Sequence, residues 1–236
     1  MAATPLALSI EDRVGRLVLQ RPETGNAFTG EMMAALPALL AQAAEGSDVL
    51  LIRALGADFC LGRDRSGPKP GGGPFDAFKL VAAANAALLD YPGIAVTEVQ
   101  GRAVGFAVGM VMRSDIAIAS DGARFTLDEV KHGIPPMFIM SEILQHLAPK
   151  AALDMVLSSR ELTANEARDI GLVSRVVPAD RLEATAGELV RDLRSRDPAV
   201  LRATKRYLRT VCELPQGARG AFALVEQTRF AERGQR

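Results

Sequence analysis

The chain has little cysteine and no net charge. Only Cys60 and Cys212 occur in 236 residues, far apart and outside any CxxC or Cys/His metal spacing. That offers no metal site and suits a reducing compartment, with both thiols expected in structural burial. Lysine plus arginine equals aspartate plus glutamate at 28 each, so no global charge draws the chain to nucleic acid or to an acidic membrane surface. No uninterrupted apolar run approaches the length needed to span a bilayer. The first residues, Met1 to Ile10, lack a basic stretch and a proper apolar core before Glu11-Asp12 arrives. A soluble cytoplasmic protein without a nucleic-acid or membrane partner is expected.

What the chain has is an alternation of short aliphatic runs with Ala/Leu-rich segments, the pattern of an α/β domain. Strands are expected at Val14–Leu19, Val49–Ala54, Ile94–Val99, Ile116–Ala119 and Val173–Val177. Helices are expected at Gly30–Ala44, Phe75–Leu89, Gly105–Arg113, Met140–Leu147, Ala151–Leu157, Ala164–Ile170, Ala179–Ser195 and Pro198–Val211. Thr163 precedes Glu166 by three residues, a capping-box spacing, and Gly171 stands where a helix C-cap belongs. Ser66-Gly-Pro-Lys-Pro-Gly-Gly-Gly-Pro74 can form neither strand nor helix and is expected to be a mobile loop next to the site.

The most informative stretch is Gly101-Arg-Ala-Val-Gly-Phe-Ala-Val-Gly-Met-Val-Met-Arg-Ser-Asp115, followed by Phe125-Thr-Leu-Asp-Glu-Val-Lys-His-Gly-Ile-Pro-Pro136. Small residues at 101, 103, 105, 107 and 109 leave backbone N–H groups unshielded near a turn. Charge developing on a carbonyl oxygen needs such donors. Glu129 offers a carboxylate nearby, and burial against Phe125, Val130, Ile134 and Met137 is expected to make it a base suited to neutral pH.

At these residues the chain resembles the enoyl-CoA hydratase/isomerase (crotonase) family, whose pattern is roughly G-x-a-x-G-G-G-x-E-L-x-x-x-x-D followed by F-x-x-P-E-x-x-x-G-x-x-P. Three further segments resemble family motifs in the right order: Arg21-Pro-Glu-Thr-Gly-Asn-Ala-Phe28, Gly56-Ala-Asp-Phe-Cys-Leu-Gly-Arg-Asp64 and Leu162 to Pro178. The resemblance implies a crotonase-like spiral of β-β-α units over residues 1–195 and a C-terminal helical oligomerisation segment over 196–236. That segment is shorter than in typical members, so its last helix is expected to be curtailed. A homotrimer or hexamer is implied.

The resemblance also implies a site. Glu129 falls on the family's second catalytic glutamate, whereas Gly109 occupies the position of the first. The backbone N–H groups of Arg63 and Phe106 become the oxyanion donors. Asp128 replaces the family's proline and is expected to face solvent or cap the following turn. Arg21, Arg63, Arg65 and Lys69 cluster near the expected entrance, and Arg21, Arg65 and Lys69 are candidates for coenzyme A phosphates. Met110, Met137 and Phe138 are candidates for an acyl pocket, although methionine at helical spacing equally suits core.

With one glutamate left, the inventory fits double-bond migration, which needs one base, better than hydration, in which two glutamates hold one water. No cofactor and no metal is implied; coenzyme A enters as part of the substrate. The alternatives are a hydratase, lyase or hydrolase using a different polar group, and a degenerate member that binds acyl-CoA without turnover. A serine peptidase centred on Ser141 is set aside because no nucleophile elbow surrounds it. His132 and His146 are expected to be structural.

Overall fold

The computed structural model describes residues 4–64 and 73–233. Its frame is a six-stranded sheet in the order β1-β2-β3-β4-β6-β9, formed by β1 (Leu6–Glu11), β2 (Val14–Leu19), β3 (Val49–Ala54), β4 (Ile94–Val99), β6 (Ile116–Ser120) and β9 (Arg175–Val177). Only β1 and β2 pair antiparallel; every other neighbour is parallel. A second sheet holds three short strands, β5 (Arg102–Val104), β7 (Arg124–Thr126) and β8 (Leu162–Thr163). Isolated bridges Phe28↔Arg63 and Cys60↔Ala103 extend it.

The chain passes repeatedly from the large sheet to the small one and then into a helix. After β2 and Phe28 comes α1 (Gly30–Gly46); after β3, Cys60 and Arg63 comes α2 (Pro74–Asp90); after β4 and β5 comes α3 (Phe106–Arg113); after β6 and β7 comes α4 (Met137–Ile143). This is the β-β-α spiral that the resemblance implied. The remaining helices are α5 (Pro149–Ser158), α6 (Ala164–Asp169), α7 (Leu182–Arg194), α8 (Pro198–Glu213) and α9 (Gln216–Arg233).

Burial explains why some strands were legible. All six residues of β4 are buried, because α3 and its neighbours cover one face while α7 covers the other. One cluster joins Leu17, Leu19, Ile52 and Phe59 to Met32, Leu36 and Met110; the other joins Val49, Leu51, Val96 and Ile118 to Leu182 and Val190. β2, β3 and β4 have the expected bounds. Four strands were not expected: β1, β5, β7 and β8. β1 turns into β2 through Asp12 and Arg13, both at positive φ, a hairpin turn made without the usual Asn-Gly signal. The other three have only two or three residues, too few for a period to register.

Further corrections are local. Pro74 opens α2 rather than ending a structureless stretch, since a helix tolerates proline in its first turn; the rest of the expected loop, residues 66–72, lies outside the described residues. Helix α4 starts at Met137, three residues before the expected Met140 and ending at Ile143. The expected helix from Ala179 divides into a 3₁₀ turn, Ala179–Arg181, and α7. Thr163 and Glu166 form the capping box, and Gly171 takes φ +91° after α6. Cys60 is buried, and burial pushes its thiol up to about 12, whereas Cys212 is exposed on α8.

Past residue 195, α8 is tied to the main sheet by charge. Lys205 Nζ donates to Asp115 Oδ2 at 2.7 Å and to the carbonyls of Tyr91 and Gly93, and Arg202 pairs with Asp48 at 2.6 Å. The last helix, α9, runs for 18 residues. Among the described residues no helix is long and apolar enough to cross a membrane.

Candidate active site

The site is built where β5 enters α3. Gly105 there adopts φ 54° and ψ −112°, and its N–H donates to Thr126 O at 2.9 Å, which ties the turn to β7. A Cβ on Gly105 would stand 3.0 Å from Glu129 Oε1 and 3.7 Å from Asp128 Oδ1. Both the dihedral and the close carboxylate call for glycine. Phe106 is the first residue of α3, so its N–H belongs to the first turn, where a helix supplies no acceptor of its own and the dipole is positive. Its ring is buried against Phe28, centroids 4.9 Å apart, and the bulky side chain thus turns into the core.

Residues 60–63 run alongside 103–106. Cys60 pairs with Ala103 in a parallel bridge, and a Cβ on Gly62, which has φ +85°, would lie 2.9 Å from Val104 O. Arg63 follows Cys60 by three residues, as Phe106 follows Ala103. On the other side, Phe28 N donates to Gly62 O and Asp64 N to Phe28 O, each at 2.8 Å. Backbone N–H groups alternate along a strand, so the N–H of Arg63 faces away from Phe28 and toward the α3 side.

Glu129 heads a 3₁₀ turn, Glu129–His132, and is half-buried. Of the apolar residues expected around it, Phe125 is buried while Val130, Ile134 and Met137 are exposed, and the carboxylate oxygen Oε2 is itself buried. Asp128, expected to face solvent or cap the turn, makes no cap bond with its side chain, which is 29% exposed and pairs with His132 Nε2 at 3.0 Å. His132 thereby gains a carboxylate partner beside the site.

Gly109 lies one helical turn below Gly105 on the same face. A Cβ there would stand 2.5 Å from Arg113 Nη1 and 4.0 Å from Ile139 Cδ1. The guanidinium of Arg113 therefore fills the space a side chain at 109 would use. Its far edge faces α4, where Nη2 donates to Glu142 Oε1 at 3.0 Å and Nε lies 3.0 Å from Oε2. The Arg113 side chain is 1% exposed and that of Glu142 17%.

The profile of the family described as enoyl-CoA hydratase/isomerase matches residues 9–232. The chain belongs to that family. It is 32% identical over 177 residues to a probable enoyl-CoA hydratase of Mycobacterium bovis, covering 73% of this chain and 68% of that protein. It is 31% identical over 195 residues to the 1,2-epoxyphenylacetyl-CoA isomerase of Escherichia coli, covering 78% and 74%. Among solved structures, a putative enoyl-CoA hydratase from Thermobifida fusca in complex with CoA superposes with a TM-score of 0.89 at 25% identity, over 98% of this chain and 95% of the other.

Within this hydratase/isomerase fold the other expected site residues separate. Met110 is fully buried in the core, while Met137 and Phe138 sit exposed on α4, so the three do not line one pocket. Phe138 faces Phe78 of α2, ring centroids 6.0 Å apart. Arg21 donates to Ala27 O at 2.6 Å and pairs with Asp64 at 3.4 Å, which commits its fork to holding the 21–28 turn. Arg65 and Lys69 lie outside the described residues. Among the described residues no group of three or more His, Cys, Asp or Glu could hold a metal ion.

The sequence reading missed Arg113, Glu142 and the Asp128–His132 pair. One signal was available: Arg113 and Glu142 are the lone charged residues of α3 and α4, two otherwise apolar helices apart from Ser141. A charge inside such a helix is buried unless the helix frays, and a buried charge needs a partner.

Proposed function

We propose that the chain binds an acyl-CoA thioester and shifts its double bond between the 3-enoyl and 2-enoyl positions, with Glu129 as the base. The observation that carries this reading is that Glu129 Oε1 lies 3.0 Å from the Gly105 Cβ point while a cation, Arg113 Nη1, rather than an acceptor lies 2.5 Å from the Gly109 Cβ point four residues on. Hydration needs a second acceptor to hold the attacking water, and a guanidinium has none. Isomerisation needs one carboxylate. It removes the proton on the α carbon, the electron pair moves into the thioester enolate, and the same proton returns to the γ carbon.

In this reading the Phe106 and Arg63 N–H groups take the enolate oxygen, each worth about 3 kcal/mol of barrier. The Cys60↔Ala103 bridge and the close approach of Gly62 to Val104 O support them as a pair. Coenzyme A is the proposed thioester carrier, a reading supported by the CoA bound in the Thermobifida fusca structure. A homo-oligomer is proposed with it, and the exposed Leu224 and Val225 of α9 are consistent with a covered face.

The test is a panel of 2-enoyl, 3-enoyl and malonyl-type CoA thioesters followed by mass and ultraviolet absorbance. Isomerisation keeps the mass and changes the absorbance, hydration adds water, and decarboxylation loses CO2. Products heavier by one water from 2-enoyl substrates at undiminished rate would refute the isomerase reading. CoA binding with no turnover of any thioester would support a degenerate binder.

A further inference from the structure

A cleft of about 630 Å³ lies on the face of the main sheet away from the catalytic turn, between α7 and the strands it covers. Glu98 of β4 closes its floor. It shares the face of Val96, which packs under α7, because side chains two apart in a strand point the same way. Glu98 is 5% exposed, yet among the described residues its carboxylate accepts no hydrogen bond. Oε2 is buried without a partner, and Oε1 lies 3.9 Å from Arg53 Nη2, whose guanidinium is bonded to Glu183 instead. Burial pushes the Glu98 carboxyl up, with Arg53 pulling against it and Glu183 adding to the rise. A carboxylate held so far from water is costly unless a donor reaches it.

The rim of the cleft sorts its charges. Glu11 pairs with Arg16 at 3.7 Å, Asp12 with Arg194 at 3.6 Å and Glu183 with Arg53 at 2.9 Å. Among the described residues that leaves two charged groups of α7 without an ion-pair partner, Glu188 and Arg191, one helical turn apart. The rest of the lining is apolar or small: Val14, Leu51 and Val190 present aliphatic surface, and Gly187 presents no side chain. The unmatched set is therefore two carboxylates, one of them buried, and one guanidinium.

We propose that this cleft is a binding site for a basic α-amino acid of the lysine type. The α-carboxylate takes the Arg191 fork and the α-ammonium stands against Glu188. The aliphatic stem lies along Val14, Leu51 and Val190, and the terminal ammonium reaches the Glu98 carboxylate. One net positive charge on the ligand matches the one excess carboxylate of the unmatched set. A flexible apolar stem with a charged end suits a wall that is apolar down to a single buried acid. The proposal is independent of the acyl-CoA reading, since the cleft and the catalytic turn lie on opposite faces of the sheet.

Isothermal calorimetry at neutral pH with L-lysine, L-norleucine and pentane-1,5-diamine separates the contacts. Norleucine keeps the α-amino acid and the stem but lacks the terminal ammonium, and the diamine keeps both ammonium groups but lacks the carboxylate. Lysine is expected to bind saturably at millimolar concentration, and each of the other two to bind more weakly by about tenfold or more, the scale of one hydrogen bond between charged groups. Glu98→Gln keeps the shape of the floor and is expected to bring lysine down to the level of norleucine. Arg191→Met is expected to bring lysine down to the level of the diamine and to leave the diamine unchanged; being on the rim, it keeps the proposal testable if Glu98→Gln fails to fold. Absence of saturable lysine binding by the wild type overturns the proposal, as does norleucine binding as tightly as lysine or a lysine affinity that survives Glu98→Gln. Diamine binding as tight as that of lysine overturns the part given to Arg191 and with it the amino-acid class.

Discussion

Gly105 and Glu129 are matched: the glycine's missing Cβ is what lets the carboxylate come within 3.0 Å of that point. Gly105→Ala therefore places a methyl group against the base at a φ of 54°, where a side chain is already strained. The expected cost is about 1–3 kcal/mol in denaturant unfolding, together with a loss of turnover larger than the loss of CoA affinity. An alanine variant with wild-type turnover would show that the carboxylate does not act from this position.

Replacing the base itself separates chemistry from binding. Glu129→Gln keeps the shape and removes the proton acceptor, so turnover of a 3-enoyl-CoA should drop by roughly a hundredfold or more while CoA affinity and Tm stay close to wild type. Retained turnover would move the chemistry to another residue, and Asp128 would be the next to change.

Installing the missing acid should not by itself restore hydration. A carboxylate at position 109 would meet Arg113 Nη1, which lies 2.5 Å from the Cβ point, and be captured as an ion pair. Gly109→Glu is thus expected to gain no hydration of crotonyl-CoA, with overpacking costing about 1–3 kcal/mol. Gly109→Glu/Arg113→Met, once shown to be folded, is expected to gain it. Hydration by the single variant would contradict the position assigned to the guanidinium.

Acid should weaken one helix start in a defined window. The Thr163 N–H, then the Arg160 guanidinium, hold the Glu166 carboxyl down to about 2 from an ordinary 4.5. A carboxyl lowered on folding stabilises above its unfolded value, and that contribution is lost as pH falls toward the folded one. The Tm gap between wild type and Glu166→Gln should be full at neutral pH and narrow as pH falls from 4.5 toward 2. A gap that stays constant across that range would mean the lowered carboxyl plays no part in stability.

The two thiols should react differently. Cys60 is buried with its thiol pushed up to about 12, and Cys212 is exposed. A thiol reagent is expected to modify one cysteine in the native protein and both after denaturation. Native labelling that persists in Cys212→Ser would show that Cys60 opens to solvent.

Much of the frame could be read along the chain because it depends on local pattern. β2, β3 and β4 are short runs rich in aliphatic residues, with β4 buried on both faces, and the Thr163/Glu166 box is a spacing rule between neighbours. Glu129 and Gly109 could be placed by motif, since the distance from Gly105 to each is a count of residues. The strands β5, β7 and β8 escaped notice because two or three residues acquire strand geometry only by pairing with distant partners.

The sequence by itself determined the α/β alternation, the glycine at 105 that a carboxylate can approach, and the absence of an acid at 109. What fills that absence was decided by tertiary structure. The apolar run before Arg113 marks it as a candidate for burial, but nothing local says which residue would pair with it. Only the packing of α4 over α3 brings Glu142 to Arg113, across 29 residues of chain, and buries the pair. Ion pairing inside a protein depends on distance through space and on exclusion of water, and neither is encoded at a single position of the chain.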